Sequence, residues 1–95
     1  MWKITLHRDE NGVVTNVKHK KVYHSPSGFE WGYNGSGPAE LALNILLMFT
    51  DEDTAHLLHQ AFKREVIALI PFEGGEIACA DVRRWIRNKE NSFEG

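Results

Sequence analysis

GFEWGYNGSGPAELALNILLMF, residues 28–49, decides how the rest of the chain is read, because its pattern changes from strand to helix across a glycine-rich turn. Phe29, Trp31 and Tyr33 alternate with Glu30, Gly32 and Asn34, the period-two signature of a strand that buries one face. Gly35, Ser36 and Gly37 then interrupt it. Pro38 suits a first helical position, where a missing N–H costs nothing and the fixed φ is already helical. The reading is a strand over residues 28–33 and a helix over residues 38–49. That helix carries Leu41, Leu43, Ile45, Leu46, Leu47, Met48 and Phe49 around most of its circumference, so it belongs in the centre of the core.

On the N-terminal side, Trp2, Ile4 and Leu6 alternate with Lys3, Thr5 and His7, predicting a strand over residues 2–8. Asn11-Gly12 tolerates positive φ and marks a hairpin turn into a second strand at residues 13–17. Lys18-His19-Lys20-Lys21 reads as a solvated edge, and the Pro and Gly of residues 25–28 mark a loop. On the C-terminal side, acidic Asp51, Glu52 and Asp53 precede Thr54 and favour a helix start. Ala55, Leu58, Ala61, Phe62, Val66, Leu69 and Ile70 then recur at threes and fours, predicting an amphipathic helix over residues 53–70 that ends before Pro71. Gly74-Gly75 turns the chain, and residues 76–78 offer a short fourth strand. A last helix is expected over residues 80–89, with Val82, Trp85 and Ile86 inward and a frayed tail over residues 90–95. The expected fold is α+β: a three-stranded antiparallel sheet packed against three helices, in the order strand, strand, strand, helix, helix, helix.

Ninety-five residues, 42% of them hydrophobic, are enough for a single domain with one core. Eleven Lys and Arg against thirteen Asp and Glu give a net charge of −2, so no global basic field exists to hold nucleic acid. The single cysteine, Cys79, has no internal disulfide partner, which suits a reducing cytoplasm. The longest apolar run, residues 41–49, is interrupted by Asn44 and falls far short of the ~20 residues a bilayer needs, so no membrane partner is expected.

The stretch from His24 to Leu46 resembles a family of short uncharacterised prokaryotic proteins, often carried by plasmids, phages and other mobile elements, whose mark is HSPxGFEWGYxGSGPAxLALxIL. Gln60-Ala61-Phe62-Lys63, residues 66–71 and Val82-Arg83-Arg84-Trp85-Ile86 look like its second half, while the N-terminal hairpin matches loosely. Cys79 stands where the family usually has a capping Thr or Ser before its last helix. The resemblance implies a mobile-element origin and supports the fold, but it brings no activity.

Gly32, Gly35, Ser36 and Gly37 precede a helix start, where outward N–H groups and the positive dipole end suit an anion. Gly35, Ser36, Gly37 and His24 are the candidate anion-binding set. The favoured reading is nevertheless a structural turn, because Glu40 in the first turn would satisfy the same field. Ser25 or Ser36 with His24 lacks a nucleophile elbow and an orienting acid, so no catalytic residue is assigned. His56 and His59, three apart, lack a third ligand and read as a solvated helix face; neither metal nor cofactor is expected. Trp31 and Tyr33 suit base stacking but fit a core better. Lys18, Lys20, Lys21, Arg83, Arg84 and Arg87 are the candidate nucleic-acid contacts. The function expected is a non-enzymatic binding protein acting on a host macromolecule, with inhibition of a defence system as one form, or holding a small anionic ligand. A nucleic-acid-associated regulator is the alternative.

Overall fold

The computed structural model describes residues 1–24 and 28–94, so the first three positions of the loop expected at residues 25–28 lie outside the described residues. Strands β1 (Lys3–Asp9) and β2 (Gly12–Thr15) form the hairpin that Asn11-Gly12 predicts, with Gly12 at φ 119°. Helices α1 (Ser36–Leu46) and α2 (Glu52–Glu65) follow, then a short 3-10 helix at Ile67–Leu69, strand β3 (Gly74–Ala78) and helix α3 (Cys79–Glu94). The fold is α+β, with a three-stranded antiparallel sheet and three helices.

The third strand is not the expected one. Sheet order is β2-β1-β3, and β1 is completed by residues from the far end of the chain, with Ile4 opposite Ile77 and His7 opposite Gly74. The segment expected to be a strand, residues 28–33, is irregular because Gly28 and Gly32 take φ of 116° and 87°, outside the extended region. Gly32 N–H donates to Ile67 O at 3.0 Å, so this backbone hangs on the 3-10 helix and not on a strand neighbour. Alternation still holds as far as Trp31: Phe29 and Trp31 are buried, and Gly32 then turns Tyr33 out until it is 52% exposed. Gly74 is the tightest point of the sheet. A Cβ there would lie 2.0 Å from the Leu6 carbonyl oxygen, so only glycine lets β3 approach β1 at this position.

Helix α1 begins two residues before the expected boundary, since Pro38 fits anywhere within a first turn whose N–H groups have no intrahelical partner. It is buried from Gly37 to Leu46, as an apolar circumference demands. Asp51 caps α2 by accepting from Thr54 N–H at 2.7 Å. That helix ends at Glu65, short of residue 70, because Val66 leaves helical geometry at φ −125° and turns Ile67 into the core. Helix α3 continues through residues expected to fray. No Gly or Pro stops it before Glu94, and Trp85 Nε1 and Lys89 Nζ both bond Glu65 of α2, at 3.1 and 2.6 Å.

The core joins Ile4 and Leu6 of β1 to Phe29, Trp31, the apolar residues of α1, Leu58 and Phe62 of α2, Ile67, and Val82 and Ile86 of α3. Val66 and Trp85, expected on the inner faces of their helices, pack against this core but are only partly buried.

Candidate functional site

Two polar residues four apart, Glu40 and Asn44, share one face of the otherwise apolar α1 and are both fully buried. They are satisfied by residues 18–24, a strap without regular structure that lies along this face. Asn44 accepts from Lys21 N–H and donates to Lys21 O, both at 2.9 Å, which completes that peptide as a strand neighbour would. Glu40 accepts from Tyr23 N–H at 3.0 Å and His24 N–H at 2.7 Å, and meets His19 Nε2 at 2.6 Å. Burial pushes its carboxyl up, but His24 N–H, the His19 imidazole and Tyr23 N–H together outweigh this and hold it below the usual carboxylate range.

Glu40 is therefore not the carboxylate that closes its own helix start. The N-cap residue is Gly35, extended at φ −152° and without a side chain to cap, and no acid occupies the first turn of α1. Ser36 and Gly37 open onto a cleft of about 410 Å³, lined also by Val13, Val17, His19, Phe29 and Tyr33. Glu30 borders the cleft with its charge already committed. Its carboxylate takes both Arg8 Nη groups, at 2.6 and 3.0 Å, and this pairing holds it below its ordinary value. Arg8 is itself held between the rings of Trp31 and Phe72, at 4.3 and 4.1 Å.

The structure divides the expected site residues. Gly35, Ser36 and Gly37 are together at the helix start, but His24 is elsewhere, with its Nε2 2.7 Å from His59 Nε2; His19 is the imidazole that lines the cleft. His59 is 5% exposed, which overturns the solvated-face reading for that residue, while His56 keeps a partly exposed side chain. Trp31 cannot stack a base, since it is 1% exposed and donates Nε1–H to Phe72 O at 3.0 Å, whereas Tyr33 remains accessible. Ser25 lies outside the described residues.

Among the cations, Lys21 pairs with Glu52 and Arg84 with Asp81. Lys18 and Lys20 border one depression with Met1, Asn16 and Met48, while Arg83 and Arg87 border another with Phe49 and Glu90. Among the described residues no group of three or more His, Cys, Asp or Glu is arranged to hold a metal ion, and no helix is long and apolar enough to cross a membrane. Sequence reasoning missed the strap and its anchors. The signal was present as Glu40 and Asn44 at helical spacing within an apolar run, where a polar pair is costly unless something bonds it.

No curated protein and no solved structure matches the chain. A family profile does match, over residues 3–88, and on that extent the chain belongs to a family of unknown function, DUF6166.

Proposed function

We propose that this is a binding protein, not an enzyme, and that its ligand is a small molecule with an anionic group and an apolar body, held in the cleft at the start of α1. The observation that carries this reading is the position of Glu40. The acid that was expected to neutralise the helix start is turned to the strap, so the positive end of α1 faces the cleft with no side-chain cap from Gly35. Val13 and Tyr33 offer apolar surface for the body of the ligand, and His19 adds a polar group at the wall. A phage or plasmid origin, which the sequence resemblance implies, belongs to the same proposal and makes a host-cell molecule the source of the anionic group. Nucleic acid is the weaker alternative, because two of the six candidate cations are paired with acids and the remaining four border two separate depressions.

The test is thermal unfolding in rising phosphate and, separately, sulfate, for the wild-type protein and for Gly35→Asp. An Asp at this position supplies the missing cap and occupies the field an anion would use. Its Cβ would press on the Tyr33 ring, a half-exposed side chain that must shift to make room. Both anions stabilise proteins by exclusion from the surface, so the difference between the two proteins is what counts. The wild-type midpoint should climb with anion concentration by mass action, and the variant should climb less. Parallel slopes for the two proteins would refute an anion site at this turn.

A further inference from the structure

His24 and His59 face each other across the junction between the strap and α2. Their Nε2 atoms are 2.7 Å apart, a hydrogen-bond distance that requires one nitrogen to carry a proton and the other a lone pair. The chain says which is which. His59 Nδ1 lies 2.6 Å from His56 O, and a carbonyl only accepts, so Nδ1 bears a proton. Neutral His59 therefore presents its Nε2 lone pair, which accepts from His24 Nε2–H and, at 3.3 Å, from the Gln60 amide. We propose that this hydrogen bond is a latch that holds residues 18–24 against α1 and α2, and that a proton on His59 Nε2, which removes the accepting lone pair, releases the strap.

The physical basis is that a protonated His59 aims its Nε2–H at the Nε2–H of His24, so two donors face each other, and carries its charge at an almost fully buried position. The surroundings act in both directions. From α2, His56 and Lys63 oppose a further positive charge, while Glu52 is engaged by Lys21 of the strap. Tyr23 packs its ring against both His24 and His56, at 4.7 and 4.9 Å. From α1, Glu40 favours positive charge near the strap through its bond to His24 N–H, but it is already shared with His19 and Tyr23. Burial first, then the neighbouring His24, His56 and Lys63 charges, push His59 down from 6.5 against the opposing bond to His56 O.

The sign follows from linkage. With the closed form holding His59 neutral and the open form titrating near 6.5, the open form binds more protons below that pH. The opening equilibrium should therefore rise by up to about tenfold per pH unit as pH falls below 6.5, until His59 titrates in the closed form too. Amide exchange followed by NMR, corrected for intrinsic rates, reads this at Lys21, Tyr23 and His24, whose N–H groups bond Asn44 and Glu40. Protection at these amides should fall between about pH 7.5 and about pH 5 while that of Leu41 in the core holds. His59→Gln removes the titrating group while keeping a hydrogen-bonding side chain and should flatten the response; His19→Gln should not. Unchanged strap protection in the wild type would overturn the latch, as would an undiminished response in His59→Gln or simultaneous loss at Leu41. The readout needs no ligand, so its failure is distinct from failure of the cleft.

Discussion

Replacing Trp31 with Ala is expected to lower stability by roughly 3 to 5 kcal/mol, the range for deleting a large aromatic from a closed core. The ring is 1% exposed and packs within the cluster that joins β1, α1 and the 3-10 helix. Its loss also strips one side from the Arg8 guanidinium, leaving Phe72 as the remaining ring over that cation. Trp31→Phe separates the two contributions. It keeps most of the packing and removes the bond to Phe72 O, an oxygen that still accepts from Arg8 Nε at 2.7 Å, so about 1 kcal/mol is the expected cost. Urea denaturation of the three proteins reads both numbers, and a midpoint that Trp31→Ala leaves unmoved would remove this side chain from the core.

Glu40→Ala should cost a similar amount, roughly 3 to 5 kcal/mol, for a different reason. The carboxylate is fully buried and is the common acceptor for Tyr23 N–H, His24 N–H and the His19 ring, each of which loses its partner inside the protein. Acid behaviour gives an independent check. Because Glu40 titrates below its unfolded value of about 4.5 in the folded protein, its contribution is complete above that pH and is lost as pH falls through the folded value. Glu30, Asp51, Glu52 and Glu65 are also held down, so the wild-type slope alone does not single out Glu40. Glu40→Gln keeps the volume and cannot ionise; it should be less stable at neutral pH and lose less than the wild type between about pH 5 and about pH 3. Equal losses in the two proteins would mean that Glu40 contributes nothing to the acid limb.

Much of the architecture was legible because local chemistry decided it. Asn11-Gly12 supplied the backbone freedom for the hairpin, Asp51 the cap of α2, and the apolar circumference of α1 its central place. The error at residues 28–33 has a definite cause. Side-chain alternation reports which residues face inward, and Phe29 and Trp31 do, but it does not report whether a strand neighbour exists. That neighbour was Ile67 O in one peptide and nothing regular elsewhere, while Gly74 and Gly75, read mainly as a turn, were the narrow start of the real third strand. The candidate site was half visible. Gly35, Ser36 and Gly37 stood out in the sequence, whereas the cleft needs Val13 and Val17 from the hairpin and His19 from the strap, a juxtaposition set by tertiary packing. The reach of Glu40 to residues 16 and 17 positions earlier was equally beyond local pattern.

The pairing of residues 3–7 with residues 74–78 also sets an order of events during synthesis. A nascent chain that has not yet emerged through Ala78 carries β1 with one edge bare, and the loop to be closed runs from β1 to β3 through two helices, which favours slow folding through long-range contacts. The hairpin and α1 leave the ribosome before β3 and must wait, with Ile4 and Leu6 lacking the strand beside them, until residues 74–78 have emerged.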